Sequence, residues 1–351
     1  MDHILASVLN GFSDAAFLLD RNRRVVAANA AGKTAFGVGG TGRDFVWHIR
    51  QPDCLRLIDE VIDGAPHRQI IVELTSPVRG YYQITAAQIA GEIEEGGACV
   101  IVSFADVSHI REAEQMRADF VANVSHELRS PLTALSGFIE TLSGPAKGDE
   151  AATDRFLDLM GSEAQRMTRL IADLLQLSKV ENQERVRPTA RIDLRQIVER
   201  VIATLSHQAQ KDGVPMTLNA PATTAFPVQG DEDELTQVFH NLIENALKYG
   251  GEENHVAITL STLPTAPGMM GGAIKVSVRD TGPGIERVHQ ARLTERFYRV
   301  DTGRSRDKGG TGLGLAIVKH ILQRHRGRLT IDSTPGQGSD FAVFIPAIPS
   351  A

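Results

Sequence analysis

The run Phe120-Val121-Ala122-Asn123-Val124-Ser125-His126-Glu127-Leu128-Arg129-Ser130-Pro131-Leu132 holds the side chain best suited to nucleophilic chemistry, the imidazole of His126. A neutral imidazole is a good nucleophile near pH 7, and an acceptor on its other ring nitrogen fixes the tautomer. Glu127 is the candidate for that acceptor, and Ser130 places a hydroxyl four residues after the histidine. A zinc reading of His-Glu-x-x-His fails, because Ser130 stands where the second histidine is needed. Three later segments could handle a charged ligand. Asn241, Asn245 and Lys248 fall at i, i+4 and i+7 on one helical face, followed by Tyr249. A neutral amide oxygen there suits a magnesium ion shared with substrate phosphates, and the lysine suits phosphate charge. Asp280 ends an apolar run and is followed by Thr281-Gly282-Pro283-Gly284, a carboxylate at a strand end before a glycine turn. Lys308 to Val318 carries Gly309, Gly310, Gly312 and Gly314, with Thr311 and Leu313 between them. Such glycines let a backbone approach phosphate closely, and a following helix presents free N–H groups. The run is neither a Walker A loop nor a Rossmann fingerprint. Taken singly, each segment is also explained as a polar face, a capped turn or a surface loop.

These residues need elements to hold them. Val121, Val124, Leu128, Leu132, Leu135, Ile139 and Leu142 recur at spacings of three and four, a buried helical stripe with His126 off it and facing solvent. Pro131 lies inside that helix, so a bend is expected beside His126. The helix is expected from Val107 to Ser143, broken by Ser143-Gly144-Pro145 and Gly148. A second follows from Ala151 to Val180, with its own stripe of Phe156, Met160, Met167, Leu170, Leu174 and Leu177. A lone hairpin cannot bury both its faces, so two copies should pair into a four-helix bundle.

Upstream, Ala16–Asp20 and Arg24–Asn29 read as strands about a polar turn, Ala30–Phe36 as a short helix, and Gln69–Leu74, Tyr81–Ile89 and Ala98–Phe104 as later strands. His48, His67 and Cys54 show no ligand-binding pattern. Downstream of the linker Val186-Arg187-Pro188, helices are expected at Leu194–Gln210, Asp231–Tyr249 and Leu313–His325. Strands are expected at Pro215–Leu218, His255–Leu260, Ala273–Asp280, Arg328–Ser333 and Asp340–Ile345, with Thr262–Gly272 a hairpin insertion.

Composition bounds the reading. At 351 residues two or three domains are expected, and a net charge of -6 argues against direct nucleic-acid binding. Cys54 and Cys99 lie far apart without a CxxC pair, which excludes a disulfide framework and suggests a reducing compartment. No run approaches the about 18 apolar residues of a membrane span, and no signal peptide is seen. A cytoplasmic chain is the expectation.

Ser125 to Leu132, with Phe120 before it, resembles the phosphoacceptor box of sensor histidine kinases. The asparagine, Asp-x-Gly-x-Gly and glycine segments, in this order, resemble the nucleotide boxes of the same family, whose ATP-binding fold is shared with gyrase-type ATPases and Hsp90. The resemblance spans about residues 119 to 347. It implies a multidomain α+β protein: a dimeric antiparallel hairpin forming a four-helix bundle at 119–186, and an α/β-sandwich catalytic domain at 190–348. Residues 1–106 resemble a PAS sensor domain, with Asn29 at a position where such domains often carry asparagine. Residues 107–118 would be the signalling helix. Asp106-Val107-Ser108 is similar to the exit motif of PAS domains, and a simple helix cap explains it equally well.

What the resemblance implies for function is specific. His126 takes the γ-phosphoryl of ATP, with Glu127 and Ser130 beside it, and passes it to an aspartate of a response regulator. Asp280 accepts from the adenine amino group. Asn245 coordinates Mg2+, with Asn241 nearby; Lys248 and Tyr249 flank the phosphates. Gly282, Gly284, Gly310, Thr311, Gly312, Leu313 and Gly314 line the nucleotide. Phe297 to Gly309 would be a lid, to which Arg299, Arg304, Arg306 and Lys308 bring positive charge. Ala291–Asp301 and Leu315–Leu322 are similar to the phosphate-regulon branch of the family. Relatives often carry membrane helices upstream, so membrane contact is expected only if such helices precede Met1. Kinases that also dephosphorylate their partner often have Thr or Asn where Ser130 stands, which leaves that activity open. The rival readings are a sensor kinase of another regulon, a gyrase- or Hsp90-like ATPase, and a silent dimeric scaffold. The ATPase class places a carboxylate base where Asn241 stands.

Overall fold

Apolar runs in the first hundred residues pair into one antiparallel sheet: β1 (Ala15–Leu19), β2 (Val25–Ala28), β3 (His67–Leu74), β4 (Gly80–Gln88) and β5 (Val100–Asp106), in the order β2-β1-β5-β4-β3. The computed structural model describes residues 7–37, 42–89, 98–183, 186–221, 224–251, 254–269, 271–300 and 310–348. The chain divides into two units, Met1–Ala122 and Asn123–Ala351.

In the first unit β1 is buried along its whole length, as its unbroken apolar run requires. Helix α1 (Ala30–Phe36) is capped by Asn29, whose side chain accepts from Gly32 N at 2.8 Å. A second helix, α2 (Pro52–Ile62), is absent from the sequence-based expectations. Its signals are local: proline at the first turn, and Cys54, Leu57, Ile58 and Val61 buried at i, i+3, i+4 and i+7. Phe17, Phe36, Phe45, Phe104 and Tyr82 fill the interior, with ring centroids 5.0 to 6.1 Å apart. Cys54 is buried there and its thiol is pushed up to about 12, which leaves it inert as a nucleophile. Asp106 caps the next helix, accepting from Ser108 N at 2.9 Å. Ser108 Oγ in turn accepts from Tyr81 N, and Val107 N donates to Tyr81 O, both at 2.9 Å. The exit segment is therefore a cap and a tie to β4 at once.

That helix, α3, runs from Ser108 to Ser143 and continues through Pro131, which is buried. Helix α4 (Glu150–Gln183) follows the glycine-containing turn, with the rings of Phe138 and Phe156 packed at a tilt, centroids 5.4 Å apart, near the hairpin end. The expected stripe on α3 is only partly covered. Val124, Leu128, Leu135 and Leu142 are half-buried, whereas Val121, Leu132 and Ile139 remain 52 to 58% exposed. Leu157, Ile171 and Leu175 of α4 are likewise exposed. Two helices cover only one of each other's faces, so a fully buried stripe does not arise within one chain.

The rest of the second unit is an α/β sandwich. Strands β7 (Met216–Asn219), β9 (Val256–Leu263), β10 (Ala273–Asp280), β11 (Arg328–Ser333) and β12 (Ser339–Pro346) form a sheet in the order β11-β12-β10-β9-β7, with β7 parallel to β9 and the other pairs antiparallel. Helices α5 (Leu194–Lys211), α6 (Glu232–Tyr249) and α8 (Gly314–Arg324) pack over it through their apolar faces. The insertion after β9 folds Ala266 and Met269 against Ala273, Ala342 and Phe344. Two short strands, β6 (Arg191–Asp193) and β8 (Pro227–Gln229), pair with each other, and a four-residue helix α7 (Arg287–Gln290) follows β10; neither was expected from pattern. Three residues of strand or one helical turn carry too little periodicity to read.

The linker Val186-Arg187-Pro188 is tied on both sides. Arg324 Nε donates to Val186 O at 2.7 Å, and Gly230 N donates to Ala190 O at 2.9 Å. The Arg324 guanidinium also pairs with buried Glu234, whose carboxyl burial pushes to a higher pKa. Removing one partner of a buried pair strands the other charge. Arg324→Ala should therefore destabilise the second unit by about 3–5 kcal/mol, read as a drop in the midpoint of its thermal or urea transition. A loss below about 1 kcal/mol would show that the pair is solvated and the linker loosely held.

Candidate active site

His126 lies exposed on α3, as its place off the stripe requires. Consecutive helical residues point in different directions, so Glu127 faces across the hairpin. Its Oε2 accepts from Arg166 of α4 at 2.8 Å and lies 3.9 Å from Arg299 Nη2. The carboxylate expected to orient the imidazole is thus engaged by two arginines. Ser130 is exposed one turn after His126.

The three downstream segments meet. Asp280 closes β10, is buried, and accepts from Gly282 N at 2.9 Å through Oδ1. Burial pushes its carboxyl above the usual carboxylate range, against the backbone N–H bonds that favour the anion. The turn beyond admits no larger residue at Gly284: its φ is +69°, and an added Cβ would overlap Thr334 O. Asn241 is buried on α6, accepting from Gln237 Nε2 at 2.8 Å and donating to Gly314 O at 3.1 Å. Its amide braces α6 against the glycine loop. Asn245, one turn on, is half-buried. Lys248 Nζ pairs with Glu244 at 2.9 Å, and Tyr249 is exposed.

The glycine loop is held from two sides. Gly312 has φ +74°, an added Cβ would lie 2.9 Å from Phe297 Cα, and its carbonyl accepts from Phe297 N at 2.8 Å. Thr311 Oγ1 donates to Asp173 Oδ2 on α4 at 2.6 Å. Burial pushes the Asp173 carboxyl upward too, while this bond lowers it. Arg299 donates to the Gly310 carbonyl. Leu313 is buried and caps α8, whose first residue is Gly314. Arg296 binds Glu181 of α4 at 2.7 Å. Arg304, Arg306 and Lys308, the remainder of the expected lid, lie outside the described residues. Gln237, Arg166 and Asp173 were not anticipated: Arg166 and Asp173 act on residues far away in sequence, which no local pattern marks, and Gln237 lies one turn before Asn241 on α6, where an i, i+4 amide pair could have been read.

A buried strand-end carboxylate, a paired asparagine helix and a glycine loop at a helix start, joined in one unit to a hairpin with an exposed histidine, define a phosphoacceptor domain coupled to an ATPase-type sandwich. Residues 116–183 match the His Kinase A (phospho-acceptor) domain, and residues 230–349 match the Histidine kinase-, DNA gyrase B-, and HSP90-like ATPase domain. The chain belongs to the sensor histidine kinase family. It is 43% identical over 248 residues to the phosphate regulon sensor protein PhoR of Pseudomonas aeruginosa, a match covering 69% of this chain and 53% of that protein. Sensor-like histidine kinase SenX3 of Mycolicibacterium smegmatis is 38% identical over 71% of this chain and 62% of its own length. Sensor protein kinase WalK of Staphylococcus aureus is 37% identical over 69% and 56%. The chain thus spans between 53 and 62% of the lengths of these relatives. The crystal structure of histidine kinase ThkA in complex with response regulator protein TrrA shares the fold, with a TM-score of 0.54 and 21% identity over 98% of each chain. Among the described residues no helix is long and apolar enough to cross a membrane.

The raised carboxyl of Asp280 sets a pH dependence. Below its pKa the neutral acid no longer offers an anionic acceptor, and above it the buried anion opposes folding. ATP affinity should therefore fall on acidification, beginning above the ordinary aspartate range, with the fold itself favoured by protonation there. Asp280→Asn should weaken ATP about 10- to 100-fold while leaving the melting temperature at pH 7 unchanged or higher. Calorimetric titration with ATP and thermal melts across pH check both; a variant that melts lower yet binds ATP normally would contradict this reading.

Proposed function

We propose that this chain is a two-component sensor histidine kinase that moves the γ-phosphoryl of ATP to His126 and then to an aspartate of a response regulator. The observation that carries the proposal is the buried Asp280 beside a glycine cradle, within the same unit as an exposed imidazole. The site fits a nucleotide: Asp280 offers an acceptor for the adenine amino group, and the glycine loop leads into the N-terminus of α8, whose first N–H groups suit phosphate. The donor set also fits Mg2+. Among the described residues no cluster of three His, Cys, Asp or Glu side chains could hold a metal alone, and Asn245 offers one neutral oxygen of the kind that shares magnesium with phosphates. Magnesium, when bound, supplies neutralisation of phosphate charge.

The transfer is mostly positioning. A ring nitrogen of neutral His126 forms the bond to the γ-phosphorus as the bond to the ADP oxygen breaks; for Glu127 to accept from the other ring nitrogen it must first turn from Arg166 and Arg299 toward His126. Asn245, Lys248, Tyr249 and the loop Gly310–Gly314 hold the triphosphate; Gly282 and Gly284 shape the adenine end. Thr311 and Arg299 must first release Asp173 and the Gly310 carbonyl. Ser130 is a candidate to orient water in dephosphorylation of the partner. We assign residues 1–106 to a PAS-like sensor, on its sheet order and its tie through Ser108, and residues 107–118 to the signalling helix. Residues 119–186 are assigned to dimerisation and phosphotransfer, and 190–348 to catalysis. The homodimer would cover Val121, Leu132, Ile139 and Leu175. Likeness to PhoR supports a place in phosphate-starvation signalling, and the partner is of the class that TrrA represents for ThkA.

Incubation with γ-labelled ATP and magnesium should label the protein with an acid-labile, base-stable group that is absent in His126→Gln. Free phosphate with no labelled protein would favour a plain ATPase. Leu132→Glu should turn a dimer into a monomer by light scattering; an unchanged mass would place the dimer contact elsewhere.

A further inference from the structure

Asn254 lies outside every motif described above, yet it is only 3% exposed and uses both ends of its amide. Its Nδ2 donates to Ala246 O at 2.7 Å, and its Oδ1 accepts from Thr281 N at 3.2 Å. Ala246 sits in the last turns of α6, between Asn245 and Lys248, and its carbonyl also accepts from Gly250 N at 3.2 Å. Thr281 directly follows Asp280. One side chain therefore spans from the helix that presents Asn245 to the loop that presents Asp280. The surroundings fix it there. An added Cβ on Gly250 would overlap the Asn254 amide, and one on Gly282 would lie 2.7 Å from Gly250 Cα. His255 N supports the same loop by donating to Thr281 Oγ1 at 2.9 Å.

We infer that Asn254 is a positioning residue for nucleotide binding, its amide setting the separation between the adenine end of the site at Asp280 and the phosphate end at Asn245. The inference rests on the nucleotide reading of those two residues. ATP engages both ends at once, so its affinity depends on their spacing. Without the Asn254 oxygen, the Thr281 N–H loses its buried acceptor and the loop shifts to regain one. Adenine recognition then loosens, although Asp280 itself is intact.

The test uses the full chain, with dissociation constants for ATP and GTP in the presence of magnesium and melting temperatures for each variant. Asn254→Ala should weaken ATP about tenfold and narrow the preference over GTP. Asn254→Asp keeps an oxygen for Thr281 N but loses the donor to Ala246 O, so it should retain the preference over GTP while weakening ATP and melting lower. Gly250→Ala, at a backbone conformation alanine accepts, dislodges the amide and should reproduce Asn254→Ala. The double variant should bind no worse than Asn254→Ala alone, because the clash is gone. A merely structural amide would lower the melting temperature without moving the affinity of the folded protein. The inference is overturned if folded Asn254→Ala, or folded Gly250→Ala where the former does not fold, keeps wild-type affinity and preference. If instead Asp280→Asn binds ATP normally, the nucleotide reading fails, whatever Asn254 does.

Discussion

The second unit is arranged around one buried carboxylate. Asp280 ends the central strand of a sheet, where burial penalises its charge by more than the backbone N–H groups and Arg279 around it offset. The Gly282 N–H is brought to it by a turn that tolerates no larger residue at Gly284, and an added Cβ at Gly338 would overlap the Asp280 carbonyl. The loop beyond is tied back to α6 by Asn254. A carboxyl buried against the cost to its charge, in a turn shaped closely around it, makes Asp280 a candidate recognition residue.

The hairpin meets this site through polar contacts. Asp173 takes the hydroxyl of Thr311, Glu181 takes Arg296, and Glu127 shares Arg166 with a longer approach from Arg299. Groups suited to phosphate are thus engaged by the protein itself. On the proposed reading, a nucleotide at the glycine loop would compete for Thr311, Arg296 and Arg299, whereas Glu127 stays paired with Arg166 at 2.8 Å. The linker fastened by Arg324 and Glu234 limits how far the two parts can separate while that happens.

Much of this was legible in the chain. β10 and β11 end where their apolar patterns end, and His126 is exposed because it falls off a stripe of period 3.6. The glycine and Asp280 segments declared themselves by backbone chemistry that few other residues permit. What pattern did not reveal is mostly long-range. Asp173 and Arg166 look like ordinary surface residues of a helix until the glycine loop and Glu127 arrive. That the amide of Asn241 joins Gln237 to Gly314 is not visible in the asparagine spacing. Helix α2 was readable from Pro52 at its first turn and from Cys54, Leu57, Ile58 and Val61 at helical spacing. The uncovered side of α3 follows from one chain having only one partner helix.

The central claim is that the nucleotide held by Asp280 is the donor to His126. It is tested most directly by phosphorus NMR on protein containing nitrogen-15 histidine, after incubation with ATP and magnesium at alkaline pH. The account predicts a protein-bound phosphorus resonance split by coupling to a His126 ring nitrogen, lost in Asp280→Asn. Resonances of ADP and inorganic phosphate alone, or a protein-bound signal without nitrogen coupling, would contradict it.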